Sequence, residues 1–232
     1  ANIINDIFDI HIDRINKPRR PLPAGKVTKI QAIAFFTFSY LLGLLFSGLC
    51  DFKMFLIALA TSILLVGYSA YFKRRVLIGN IVVSAATATA FVFGAMAVHA
   101  WTSGIIPAVF AFLFHFGREI IKDMQDIEGD LAGDARTFPG KYGLWPAMIL
   151  IDIIFLILIV LTILPYIFNV YGITYFWVVL LGVDLVLLFI AIMIWIQNEN
   201  KQLGRWSFIL KIDMFVGLIA LYLGNQNVML IN

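Results

Sequence analysis

The chain has 232 residues, of which 62% are hydrophobic and 13% charged, with a net charge of +3. A soluble domain carries about 25% charged residues, and the long apolar runs here point instead to an all-α, polytopic membrane protein, read as one domain over 1–232. The short alternating segments of a β-barrel are absent. Basic residues in such a chain mark cytoplasmic loops, so the charge does not argue for a nucleic-acid partner. One cysteine, Cys50, excludes an intrachain disulfide and leaves a thiolate zinc site without ligands. His11, His99 and His115 are scattered and read as ordinary polar residues near helix ends.

The first polar stretch is NDIFDIHID, residues 5–13. On a helix, Asp6, Asp9 and Asp13 fall within an arc of roughly 60° over about 10 Å of axis. Like charges so placed repel, and more strongly in a partly dry membrane setting. The face therefore needs a counter-charge. A solvated helix end paired with Arg14 and Lys17 is one solution. A divalent cation is the simpler one, and the donors, carboxylates plus the amide of Asn5, are the hard oxygens that suit Mg²⁺ with substrate phosphate. The following NKPRRPLPAG, 16–25, cannot be a continuous helix, because its prolines remove donors and clash with preceding turns. It reads as an ordered basic loop.

Spans are expected at 29–49 and 53–72. The second ends in GYSAYFKRR, 67–75, where Lys73 is placed to neutralise a phosphate and Tyr68 or Tyr71 to hydrogen-bond it. Basic clusters and tyrosines also anchor helix ends at the interface, and for this stretch alone both readings stand. Spans at 78–98 and 104–121 follow.

REIIKDMQDIEGD, 118–130, then repeats the first pattern. Asp123, Asp126 and Asp130 keep the same D-x-x-D-x-x-x-D spacing, with Glu119 on their helical face and Glu128 off it. Four spans separate the motifs, an even number, so both acidic faces are expected at one membrane edge, as a parallel repeat. Two aspartate clusters there would hold two or more Mg²⁺ ions, and those ions a diphosphate. The last spans are expected at 144–168, 173–196 and 206–223. Asp184 falls near the middle of its span, Asp152, Lys211 and Asp213 nearer span ends. Alternate loops are basic, which places the basic loops and the acidic motifs in the cytoplasm.

Taken together, the Asn5-Asp6-x-x-Asp9-x-x-x-Asp13 motif, the NKPRRPLPAG loop, the YSAYFKR stretch with Lys73 and the second aspartate motif resemble the UbiA superfamily of intramembrane prenyltransferases. The resemblance runs along the whole chain. It implies an all-helical fold of nine spans around a central cavity capped by the aspartate motifs, and Mg²⁺-dependent transfer of a polyprenyl group from its diphosphate. Two spans precede the first motif in that superfamily, so the numbered chain is expected to lack an N-terminal portion. REIIKDMQDIEGD followed by ARTFPGKYG is most similar to the archaeal ether-lipid branch. That branch moves a geranylgeranyl group from its diphosphate onto geranylgeranylglyceryl phosphate.

On this reading Asp6, Asp9, Asp13, Asp123, Asp126 and Asp130 are catalytic. Asn5, Asp9, Asp13, Asp126 and Asp130 hold Mg²⁺, while Asn5, Arg20, Tyr68, Lys73 and Lys122 contact substrate. The partners are a prenyl diphosphate donor, a lipid-like acceptor and membrane lipid, with no obligate protein partner. The expected location is the cell membrane, with the site facing the cytoplasm. An aromatic acceptor within the same superfamily stays open. An ion-coupled transporter is a distant rival, because transporter sites lie at the membrane midplane and these acids lie at its edge. A soluble prenyl diphosphate synthase has no place for seven apolar spans.

Overall fold

The computed structural model describes residues 2–16, 18–132 and 136–229; Lys17 lies outside them. The described residues form helices joined by turns and short loops, with no strand among them. Two short helices, α1 (Asn2–Phe8) and α2 (Ile10–Asn16), carry the first acidic motif. Then come α3 (Lys29–Cys50), α4 (Phe52–Ala70), α5 (Ile78–Ala97) and α6 (Ile105–Gln125). The short α7 (Ile127–Ala132) and α8 (Phe138–Tyr142) lead to α9 (Leu144–Ile167). The chain closes with α10 (Ile173–Val179), α11 (Leu185–Ile196) and α12 (Asn200–Met229). A π turn, Leu180–Asp184, joins α10 to α11.

Seven segments are long and apolar enough to cross a membrane: Lys29–Cys50, Phe52–Ala70, Ile78–Ala97, Trp101–Gln125, Leu144–Ile167, Ile173–Ile196 and Asn200–Gly224. The seven expected spans are all present. The last differs most, beginning at Asn200 rather than 206. Its first turns are polar (NKQLGR), so hydropathy hides them although helical hydrogen bonding continues through them. Lys211 and Asp213 therefore sit at the middle of the last span, not near its end.

Local chemistry explains the boundaries. Thr28 caps α3 in a capping box with Gln31: the Gln31 N–H donates to Thr28 Oγ1, and the Thr28 N–H to Gln31 Oε1. Asp51 ends α3 and starts α4, its carboxylate accepting from the Lys53 N–H at 2.6 Å, so one residue turns the chain.

The chain forms two compact units, residues 1–108 with 128–137, and 109–127 with 138–232. In the first, α1 packs on α3 and α4, and α3, α4 and α5 pack in succession. Few side chains of α3 are buried, and Phe38, Leu41 and Phe46 stand exposed. In the second unit, α9 packs on α11, and α12 on α10, on α11 and on the π turn. Its core includes Ile151, Phe155, Leu158, Leu187, Ile190 and Leu210, all essentially inaccessible.

Candidate functional site

The first motif is not on one unbroken helix, as its spacing predicts. The helix is interrupted at Asp9, between α1 and α2. The rise of the chain survives the break, because the Asp9 N–H still donates to Asn5 O at 2.9 Å and the Asp13 N–H to Asp9 O at 2.8 Å. The carboxylates consequently stay close. Asp9 and Asp13 are buried, while Asn5 and Asp6 are half-buried. Asn5 Nδ2 donates to Asp9 Oδ2 at 2.9 Å.

Two cations are built around this face. Arg20 Nη1 bridges Asp6 Oδ1 and Asp13 Oδ2 at 2.7 Å each. Its loop is folded back by turns: the Ala24 N–H donates to Arg20 O, and the Lys26 N–H to Pro21 O, both at 2.9 Å. Gly25 takes φ +70°, a left-handed conformation that residues with a Cβ rarely adopt. The second cation is Lys73, on a tight turn after α4, whose ammonium pairs with Asp9 Oδ2. Gly79 at the start of α5 lets that turn lie against the helix: a Cβ there would stand 2.9 Å from Phe72 O and 3.0 Å from Lys73 Cα. The Arg75 guanidinium covers the Tyr71 ring at 4.0 Å, and Tyr71 is exposed. Tyr68 is half-buried near the end of α4.

The second motif repeats the backbone of the first. The helix again breaks at the middle aspartate, here Asp126 between α6 and α7, and the Asp126 N–H still donates to Lys122 O at 2.9 Å. Asp123, Asp126 and Asp130 are half-buried. One turn earlier, Glu119 is buried and gathers basic side chains. Lys122 Nζ lies 2.8 and 3.0 Å from its two oxygens, Arg118 Nη1 3.1 Å and His115 Nε2 3.6 Å. Arg118 Nε also donates to Ser207 O at 3.1 Å, tying α6 to α12. Lys122 thus faces Glu119. His115 lies inside α6, not near a helix end. Glu119 was visible in the sequence as the i, i+3 partner of Lys122 and the i, i+4 partner of His115, but its role as the anchor of three basic side chains was not.

The structure therefore brings together Asn5, Asp6, Asp9, Asp13, Arg20 and Lys73 in the first unit. In the second it brings together Glu119, Lys122, Arg118 and His115. Asp123 and Asp126 belong to the second unit and Asp130 to the first. An apolar cleft of about 420 Å³ lies between α1, α3, α4 and α5, with Ile3, Ile4, Phe36, Leu44, Leu65 and Phe93 among its walls.

Among the described residues no three acidic, histidine or cysteine side chains stand close enough to ligate one ion. The donor set nevertheless fits Mg²⁺. That ion takes one or two carboxylates and completes its octahedron with water and substrate phosphates. Buried Asp9 and Asp13 supply the carboxylates, and the buried Oδ1 of Asn5 has no hydrogen-bond partner. With Arg20 and Lys73 counted against three aspartates, one negative charge remains on the first motif.

Known proteins share this chain's fold and much of its sequence. The digeranylgeranylglyceryl phosphate synthase of Methanosphaera stadtmanae is 34% identical over 225 residues, covering 97% of this chain and 82% of that one. A solved structure from work on digeranylgeranylglyceryl phosphate synthase in membranes superposes with a TM-score of 0.77 at 32% identity, over 97% of this chain and 80% of that one. A UbiA homolog from Archaeoglobus fulgidus, bound to GPP and Mg²⁺, shares the fold with a TM-score of 0.66 at 21% identity, over 95% of this chain and 82% of that one. The UbiA prenyltransferase family profile matches residues 1–219. With that match, the two acidic motifs and the seven apolar helices, this chain belongs to the UbiA prenyltransferase family.

Proposed function

We propose that the chain transfers a geranylgeranyl group from geranylgeranyl diphosphate to the free hydroxyl of geranylgeranylglyceryl phosphate, at the cytoplasmic face of the cell membrane. The observation that carries the reading is the repeated D-x-x-D-x-x-x-D motif, each copy breaking its helix at the middle aspartate, with Arg20 and Lys73 held against the first. The sequence similarity to a digeranylgeranylglyceryl phosphate synthase, at 34% identity over nearly the whole chain, supports the choice of acceptor.

Asn5, Asp9 and Asp13 of the first motif, and Asp126 and Asp130 of the second, are the residues that would hold Mg²⁺ ions. Such ions would supply charge stabilisation for the departing diphosphate. Arg20 and Lys73 add fixed positive charge beside the same oxygens, aimed where negative charge builds as the allylic C–O bond breaks. Asp6 and Asp13 orient Arg20, and Asp9 orients Lys73. Lys122, held by Glu119, adds a further cation. The apolar walls of the helices keep water from the reacting carbon, so that the acceptor hydroxyl and not water completes the bond.

The test supplies labelled geranylgeranyl diphosphate to membranes containing the protein, with geranylgeranylglyceryl phosphate or 4-hydroxybenzoate, each with Mg²⁺ or EDTA. Mg²⁺-dependent label on the glyceryl phosphate is expected. Transfer only to the aromatic acid would keep the metal chemistry and refute the acceptor. Asp9→Asn and Asp126→Asn are expected to abolish turnover in folded protein, and near-normal activity in either would refute the assigned roles.

A further inference from the structure

The second unit buries polar groups that prenyl transfer does not use. Asp184 and Asp213 are 1% and 3% exposed. Asp184 closes the π turn after α10, and α12, which carries Asp213, packs against that turn. The approach is close: a Cβ on Gly182 would stand 2.6 Å from Val216 Cγ1. Neither aspartate forms an ion pair among the described residues. Lys211, the basic residue nearest Asp213 in sequence, is exposed. The ionisable neighbour that acts on Asp213 is Asp184 itself. Tyr171 and Tyr175 of the α10 region are the other titratable groups alongside. In each aspartate Oδ2 is buried without a hydrogen-bond partner.

Thr162 of α9 completes the group. Its Oγ1 lies 2.8 Å from Ile159 O and 3.0 Å from Asp184 Oδ1, and its carbonyl accepts the Tyr175 hydroxyl at 2.8 Å. A hydroxyl has one proton and cannot donate fully to both Ile159 O and Asp184. An ionised Asp184 would hold its charge in a hydrocarbon setting on that one shared bond, beside a second carboxylate. Burial of a charge so poorly paired is far costlier than neutralising it. A protonated Asp184 removes the buried charge and the competition for the threonine proton. It donates to Thr162 Oγ1, and the threonine proton goes to Ile159 O. Single π turns within helices occur frequently at functional sites.

We infer that Asp184 and Asp213 form an intramembrane proton-binding site, in which Asp184 is a carboxylic acid donating to Thr162 and the pair bears at most one negative charge. The site joins α9 to the π turn through the Asp184–Thr162 hydrogen bond, and α12 by its packing on that turn. It is separate from the aspartate motifs and does not depend on the proposed acceptor.

The test uses infrared difference spectra of the full chain in lipid nanodiscs at neutral pH. A carboxylic-acid C=O stretch is expected in the wild type and lost in Asp184→Asn, but kept in Thr162→Val at a shifted frequency, because its hydrogen-bond acceptor is gone. Asp184→Asn is expected to keep the wild-type melting temperature, since the amide donates to Thr162 without a titratable proton, whereas Asp184→Leu melts lower. Asp213→Asn, which retains the Asp184 band, serves as the second comparison should one variant fold poorly. A wild-type spectrum with carboxylate bands alone would overturn the inference. So would a melting temperature raised by Na⁺ in the wild type and not in Asp184→Asn, which would make the pair an ionised cation site.

Discussion

Gly79→Ala tests whether the position of Lys73 matters to the chemistry. The added Cβ would stand 2.9 Å from Phe72 O and 3.0 Å from Lys73 Cα. Both are backbone atoms and cannot rotate away. Ordinary carbon contacts lie at about 3.5–4.0 Å, so the turn must retreat by about 0.5 Å. Overpacking of this kind costs about 1–3 kcal/mol, and alanine returns up to about 1 kcal/mol of helix propensity. A net loss of about 1–2 kcal/mol is expected. The turn that moves carries the ammonium paired with Asp9. Since a 1 Å misplacement can cost about 100-fold in rate, a shift of half that size should lower transfer roughly tenfold. The assay pairs denaturant unfolding in detergent micelles with initial rates on labelled geranylgeranyl diphosphate. Gly94→Ala is the control: it lies in the same helix with nothing within 4 Å of its would-be Cβ, and should be neutral or slightly stabilising. If Gly79→Ala matched the wild type in both stability and rate, the turn would be shown to tolerate displacement and Lys73 to need no fixed position.

Arg20→Ala leaves the carboxylate of buried Asp13 without its cation; because Arg20 is 36% exposed, the expected loss is about 1–3 kcal/mol, below the 3–5 of a fully buried pair. The double variant Asp13→Asn with Arg20→Ala should recover part of it, as read in unfolding curves. Glu119→Ala removes the carboxylate shared by Lys122 and Arg118; because Lys122 is 40% exposed, the expected loss is again about 1–3 kcal/mol, checked by thermal melting. Thr28→Ala removes the capping box of α3 at an exposed position; it should cost about 1 kcal/mol of stability and leave the transfer rate unchanged.

The legible parts of this chain were those set by local composition. Apolar runs of membrane length declare themselves, and so does a charge pattern repeated at fixed spacing. What stayed hidden depended on contacts distant in sequence. Nothing around Asp184 announces that Thr162 lies 3.0 Å away, because the two are on different helices. Nothing at Arg20 specifies that it bridges Asp6 and Asp13 rather than standing in water, since that follows from how the proline-rich loop folds back. The break at Asp9 was hidden for another reason: helical periodicity predicts a face, and a single interrupted residue preserves that face while ending the helix.

The same break explains how three aspartates coexist at the edge of a greasy protein. On their own they would repel one another where water screens poorly. Arg20 spans the two outer carboxylates and Lys73 takes the middle one, so each acid has a cation from an element outside its own helix. The face is thereby held together before any substrate arrives, yet it keeps a residual negative charge and an unpartnered amide oxygen at Asn5. That remainder, rather than the aspartates as such, is what a divalent cation and a diphosphate would satisfy. A site fully neutralised by its own lysine and arginine would have no reason to bind either.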